Sequence, residues 1–391
     1  MIGKIRMSCA DFRTGILLGM LGIFSSRAVA QNVFDLRRHA PDVVFRTPAA
    51  NSELGYAFAT GDLNVDGKTD LVIGAPGINN DGIPQNGSVY IFWGGRRLPP
   101  MIDFVAFPAD VEITGHPSGS GAGTSLFCRD VNGDKIDDLI IGAPFADSNI
   151  AGTDAGLVEI FFGRADFPAR AVLPLQAANV RIGGAANSDK LGRVIIAGDF
   201  NGDAIADLLL AAPGASTGNG VSSGAVYLIF GQTIWESVLN LGFDAIDLVS
   251  FAGKNNNNVT PTSLAVGNFN GDAFADMIIG AHKADFNQRV DCGETYLILG
   301  GNDLPRTLDL KDADRLFAGA QRRDFSGWAV AAADFNRDGG DEIVIGSPQA
   351  GNGTLAFAGA AHFFDFNTLT ADTIDFSQPR DFFTITGPHY N

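Results

Sequence analysis

Five nine-residue stretches hold most of the residues in this chain that could do chemistry: DLNVDGKTD from Asp62, DVNGDKIDD from Asp130, DFNGDAIAD from Asp199, NFNGDAFAD from Asn268 and DFNRDGGDE from Asp334. In the first, oxygen-bearing side chains stand at positions 1, 3 and 5 (Asp62, Asn64, Asp66) and again at position 9 (Asp70). Alternate residues of a tightly curled loop point the same way, so the first three converge on one point. Lys68 at position 7 can offer only its backbone carbonyl inward. Hard oxygens in that number suit Ca²⁺, which takes about six to eight of them. The same frame gives Asp130, Asn132, Asp134, Ile136 through its carbonyl, and Asp138; then Asp199, Asn201, Asp203, Ile205 through its carbonyl, and Asp207. The Asn268 loop (Asn268, Asn270, Asp272, Phe274, Asp276) lacks a charge at position 1 and is expected to bind most weakly. The Asp334 loop (Asp334, Asn336, Asp338, Gly340, Glu342) closes with a side chain one methylene longer. Up to five Ca²⁺ ions are expected. A single such loop is also an ordinary Asx-rich turn; five copies in one frame favour the metal.

Glycine supplies the sharp bend, at position 6 as Gly67 and Gly339 or at position 4 as Gly133, Gly202 and Gly271. An EF-hand loop would end in Glu between two helices. Here the ninth residue opens an apolar run: LVIGAP, LIIGAP, LLLAAP, MIIGAH and IVIGSP. The loops recur at intervals of 68, 69, 69 and 66 residues. A second run follows each (SVYIFWGG, LVEIFFGR, AVYLIFGQ, ETYLILGG, AAHFFDFN), then a third (VEITG, VRIGG, VSFAG, RLFAG), and a small-residue β-prone segment precedes each loop. These segments are too short for helices and are punctuated by Gly, Pro and Asn. Four strands per unit at constant spacing predict an all-β propeller, each unit one four-stranded blade. One such sheet cannot bury both its apolar faces alone, and stacking blades solves that. Tandem independent β domains are the alternative, but units this small would be marginal by themselves.

The N-terminus is a different kind of sequence. Lys4, Arg6 and Arg13 precede the apolar run Gly15 to Phe24, and Ala28-Val29-Ala30 stands before Gln31. That is the pattern of a secretory signal peptide over 1–30, leaving 31–391 as the propeller. No later stretch is apolar enough for a membrane span. The whole chain carries a formal charge of −17, and removing the signal segment's +3 leaves −20. Such a chain repels nucleic acid and anionic membranes and attracts cations. Of three cysteines, Cys128 and Cys292 remain after Cys9 leaves, and both read as small buried residues. Asn86, Asn258 and Asn352 begin N-x-S/T sequons, relevant only in a eukaryotic secretory host.

The acidic frame, literal GAP at Gly74-Ala75-Pro76 and Gly142-Ala143-Pro144, and its drift to Ala211-Ala212-Pro213, Gly346-Ser347-Pro348 and Gly280-Ala281-His282 resemble the FG-GAP repeat, the blade of the integrin α-subunit N-terminal β-propeller. The resemblance covers about residues 33–391. It implies a seven-bladed propeller with Ca²⁺ between the first two strands of several blades, and a role in extracellular recognition or adhesion. One departure matters. NVFDLRRHAPDVVFRTP matches IDFVAFPADVEITG and FDAIDLVSFAG, so an outermost strand arrives before any blade core, and TIDFSQPRDFFTITGPHYN supplies another after the fifth core. Six outer strands against five cores imply a chain or segment from elsewhere in the propeller, with a closed five-bladed ring as the alternative.

His39, His116, His282, His362 and His389 stand in no metal or nucleophile frame and read as surface or turn residues. No catalysis is expected of this chain. Its partner is expected to be an extracellular protein or glycan, met by the Gly/Asn/Ser-rich connections GINNDGIPQNG, FADSNIAGTDAG and GASTGNGVSSG. Two other readings stay open: a purely structural calcium-stapled domain, and the accessory propeller of a secreted hydrolase of the phospholipase D type.

Overall fold

A computed structural model describes residues 43–386, apart from 48, 80–83, 117–118, 149–151, 169–170, 243–247, 254–260, 352–356 and 379–382. The signal segment, His39, His389, Asn258 and Asn352 lie outside the described residues.

The strands follow the repeat. After β1 (Val44–Arg46), the first unit supplies β2 (Phe58–Gly61), β3 (Asp70–Ala75), β4 (Ser88–Phe92), β5 (Met101–Asp103) and β6 (Val111–Thr114). The second gives β7 (Ser125–Arg129), β8 (Asp138–Ala143), β9 (Leu157–Phe161), β10 (Ala171–Pro174) and β11 (Val180–Gly183). The third gives β12 (Ile195–Gly198), β13 (Asp207–Ala212), β14 (Ala225–Ile229), β15 (Val238–Asn240) and β16 (Leu248–Ala252). The fourth gives β17 (Ser263–Gly267), β18 (Asp276–Ala281), β19 (Glu294–Ile298), β20 (Thr307–Asp309) and β21 (Arg315–Ala318). The fifth gives β22 (Ala329–Ala333), β23 (Glu342–Ser347), β24 (Ala360–Asp365), β25 (Thr373–Asp375) and β26 (Phe383–Thr386).

In every unit the first, second, third and fifth strands form an antiparallel meander, the expected blade. The short fourth strand does something else. It leaves its own sheet and pairs in parallel with the outer strand of the preceding one: β10 on β6, β15 on β11, β20 on β16, β25 on β21. Each of the first four blades therefore carries a strand lent by its successor. The sequence reading had merged this strand with the outer one. At the start, β5 pairs the same way with β1, so β1 is an outer strand without a core among the described residues. At the other end, β26 completes the fifth sheet and no described strand borders it.

Packing follows the pleat. The third residue of each second strand faces the next sheet, and the second and fourth face the previous one. Thus Ile140 of β8 shares a buried cluster with Leu208 and Leu210 of β13, and Leu209 of β13 shares one with Met277 and Ile279 of β18. The glycine of the GAP turn belongs to this interface. A Cβ on Gly74 would fall 2.2 Å from the carbonyl oxygen of Gly123 in the next sheet; on Gly142 it would fall 2.2 Å from that of Gly192, and on Gly280 2.3 Å from that of Gly327. Backbones touch at these three turns, so a side chain is excluded there; the third sheet instead holds Ala211, fully buried, at the same position. Position 2 of the first four acidic loops plugs the same seam: Leu63, Val131, Phe200 and Phe269 are fully buried, whereas Phe335 of the fifth is 37% exposed.

Candidate metal sites

Each acidic loop joins the first and second strands of its sheet. Positions 4 and 6 bend in the left-handed region: Val65 and Gly67, Gly133 and Lys135, Gly202 and Ala204, Arg337 and Gly339. Only one of each pair is glycine, so each of these loops holds one non-glycine residue in a conformation that L side chains resist.

Side-chain oxygens organise the bend. Asp199 accepts the amides of Gly202 at 2.6 Å and Asp203 at 3.1 Å through one oxygen, and that of Ala204 at 2.9 Å through the other. Asn201 accepts from Asp203 at 3.0 Å, and Asp203 from Ile205 at 2.8 Å. Asp62, Asn64, Asp66 and Lys68 repeat this ladder, as do Asp130, Asn132, Asp134 and Ile136, and Asp334, Asn336, Asp338 and Gly340. The Asn268 loop departs from it. Its Oδ1 accepts from Gly271, but its Nδ2 donates to the Asp272 carbonyl at 2.6 Å, where an aspartate would present a second oxygen. Asn270 and Phe274 keep their places on Asp272.

The position-9 carboxylate is the buried member. Asp207 is fully buried and accepts from Phe200 N at 2.8 Å and from Gly231 N at 2.8 Å. Asp70 does the same with Leu63 and Gly94, Asp138 with Val131 and Gly163, and Asp276 with Phe269 and Gly300. Glu342 instead accepts from Phe335 and Asn336. In the first four loops the position-9 aspartate thus ties the loop to the end of the third strand, a role the sequence reading missed. Its signal was the glycine that closes the second apolar run of the first four units, Gly94, Gly163, Gly231 and Gly300, and that the fifth run AAHFFDFN lacks.

Burial and neighbouring charge act on these groups together. Desolvation raises Asp138 and Asp207 to about 7 and Asp70 and Asp276 to about 6, helped in each case by repulsion from loop carboxylates. Glu342 is raised for the same reasons. A cation in the loop would relieve both penalties, and a carboxylate oxygen that accepts one amide keeps a lone pair for it. The side-chain oxygens of Asp334, Asp338 and Glu342 already converge to within 4.8 Å of one another. These residues fit a hard divalent cation.

Two histidines are not where they were expected. His282 packs edge-on to Trp328 with centroids 4.5 Å apart, and His362 lies 4.3 Å from the Phe376 ring. Both are buried, and desolvation lowers each to about 4. His116 bridges Glu159 at 3.0 Å and Gln176 at 2.8 Å. Asn86 is 3% exposed, so the first sequon is closed to a glycan in the folded chain. Cys292 is buried and Cys128 half-buried; both are free. No described helix is long and apolar enough to cross a membrane.

The connections between second and third strands, including the three Gly/Asn/Ser-rich loops, lie at the end of each sheet opposite the acidic loops, as the antiparallel order requires.

Comparison with known proteins agrees with this architecture. The model of the FG-GAP repeat matches residues 54–92, 122–161, 191–229 and 326–364. The unit holding the Asn268 loop falls outside those ranges. The chain is 28% identical over 317 residues to phosphatidylinositol-glycan-specific phospholipase D of Bos taurus, covering 76% of this chain and 35% of that protein. Identity with the Homo sapiens enzyme of that name is 33% over 176 residues, 45% of this chain and 20% of the relative. With integrin alpha pat-2 of Caenorhabditis elegans it is 29% over 250 residues, 59% and 18% of the two chains. The matched segments thus span about a third or less of these relatives' lengths.

Proposed function

We propose that this chain, an FG-GAP repeat protein, is a secreted calcium-binding recognition module that works outside the cell without catalysis of its own. The observation that carries the reading is the repeated acidic loop. In the Asp62, Asp130, Asp199 and Asp334 loops, carboxylates at positions 1 and 5 stand over a further carboxylate that is buried and raised in pKa. Ca²⁺ would be held by the side chains at positions 1, 3, 5 and 9 and the carbonyl at position 7, and would supply charge neutralisation and a fixed loop shape. Partner contact falls to the connections at the opposite end of the sheets, which differ between units. The integrin-like relatives support an adhesive partner, an extracellular protein or glycan.

Titration of the secreted protein with Ca²⁺ after chelation tests this. The expected result is four to five ions bound, about one per loop by the coordination argument, and retention of an extracellular partner only when loaded. Folding and stability indifferent to Ca²⁺ would remove the loop assignment. Unfolding on chelation, with no partner captured in either state, would leave the ions as structural staples.

The phospholipase D relatives favour a second reading, in which this propeller accompanies a hydrolase. A separate secreted hydrolase that co-purifies with the chain would support it.

A further inference from the structure

The seam between the fourth and fifth sheets differs from the others at one spot, on the end opposite the acidic loops. Three positions meet there. Between the first and second sheets they are Val89 of β4, Ala122 just ahead of β7 and Ala143 of β8, all in one buried cluster. Between the second and third they are Val158, Leu191 and Ala212, again in one cluster. Between the third and fourth, Val226 and Ala281 fill two of them. Between the fourth and fifth the matching residues are Thr295, Ser326 and Ser347. An apolar trio has become three hydroxyls.

These hydroxyls converge from both sides of the seam. Thr295 stands in the row of Leu297, which faces the fifth sheet, and its Oγ1 lies 2.7 Å from where a Cβ on Gly327 would be. Ser326 precedes that glycine. The Gly327 amide donates to the Gly346 carbonyl at 3.1 Å, one residue before Ser347. Ser347 stands in the row of Ile343 and Ile345, which face the fourth sheet. All three residues are at most 1% exposed, and none of their hydroxyls has a hydrogen-bond partner among the described residues.

We propose that this spot is an internal water site, in which one resident water held by the hydroxyls of Thr295, Ser326 and Ser347 joins the fourth sheet to the fifth. Threonine has the shape of valine, so the change from Val89, Val158 and Val226 to Thr295 adds an oxygen and no volume. A buried hydroxyl left unpaired costs stability that an apolar group of the same shape would not. Three such costs in one contact are offset if the three groups share a guest. The chemistry of the groups selects it. None of them carries a charge, so neither a cation nor an anion is matched. Each hydroxyl can both donate and accept, as water does, and a buried water typically makes about three hydrogen bonds to groups that otherwise lack partners. The other seams, built from Val, Ala and Leu at these positions, offer it nothing.

A crystal of the full chain that diffracts finely enough to place waters reads the site directly. The expected result is one ordered water within about 3.2 Å of all three hydroxyl oxygens. A site without it, or hydroxyls turned onto protein acceptors, would overturn the proposal. Thermal melts in a fixed excess of Ca²⁺ give a second readout. Thr295→Val leaves the water one partner short and should lower the melting temperature by about 1–3 °C. Adding Ser326→Ala and Ser347→Ala restores the trio of the first seam, so the fold should survive, and the triple variant should lose less than the three single changes summed. Single replacements that each raise the melting temperature would mean that the hydroxyls hold no guest, and the proposal would fall.

Discussion

The amide of Ala275 donates to the carbonyl oxygen of Asp199 at 2.8 Å, and with that bond the acidic loop of the fourth sheet is tied to that of the third. Ala206 reaches Asp130 at 3.1 Å and Asp341 reaches Asn268 at 2.9 Å in the same way. Asp137 and Asp341 add a side-chain link, accepting the amides of Asp62 at 3.0 Å and Asn268 at 2.8 Å. The loops are therefore one connected ring segment rather than separate turns, and a change in one loop's shape is felt by its neighbours.

The first prediction uses the seam between sheets. Gly74→Ala forces a methyl against the Gly123 carbonyl, and overpacking of this kind costs about 1–3 kcal/mol. Gly346→Ala, at the equivalent turn with open space beside it, should be close to neutral. Thermal melts of the two variants compare them directly. Equal losses would mean that backbone conformation, not sheet contact, fixes this glycine.

A second concerns the buried acid at the start of β13. Asp207→Ala leaves the amides of Phe200 and Gly231 without acceptors, at about 1–3 kcal/mol for each buried donor. Asp207→Asn keeps one acceptor and should lose less. Denaturant unfolding in chelator isolates this effect from any metal.

A third follows from protonation. A carboxyl whose folded pKa lies above its unfolded value holds its proton more tightly when folded, so ionising it costs stability. In chelator, lowering the pH from about 8 to 6.5 should therefore raise the melting temperature, because Asp138 and Asp207 titrate near 7. Asp138→Asn with Asp207→Asn should flatten that rise. Below about 6.5, His282 and His362 act the other way. Their folded pKa is depressed, so the stability of the neutral buried ring is lost as the unfolded chain takes up protons.

Backbone strain gives a fourth. Val65 sits at φ 62°, a conformation that costs a β-branched residue about 1–2 kcal/mol. Val65→Gly should stabilise the chain by about 0.5–1 kcal/mol after the entropy glycine loses on folding. A lower melting temperature would show that the loop draws something from the valine itself.

The last concerns the Asn268 loop. Asn268→Asp replaces the Nδ2 that donates to Asp272 with an oxygen and restores the missing charge. Calorimetric Ca²⁺ titration should show tighter binding in one site, and unchanged binding would remove this loop from the candidate set.

Much of this was legible in the residues. The spacing of the acidic and amide residues and the short apolar runs marked the loops and the four-stranded meander, because both are local patterns. The lent strand was not legible. It is three or four residues long, as in Met101–Asp103 and Thr307–Asp309, and it answers to the backbone of another unit. A faint signal exists in retrospect: an apolar residue such as Ile102, Leu239, Leu308 or Ile374 stands at its centre. The burial of His282 and His362 was invisible for a similar reason, since the aromatic rings that enclose them come from residues well beyond each histidine in the sequence, Phe325 and Trp328 for one and Phe376 for the other.

The lent strand also bears on how such a chain can change length over generations. Because the loan always runs to the preceding sheet, a recombination event that removes or inserts one repeat length, 66 to 69 residues here, deletes one borrowed strand and one lender together. The junction finds the same strand type it had before, wherever the crossover falls. Repeat number in this architecture can drift without a repair step, and only the two ends record that it has done so.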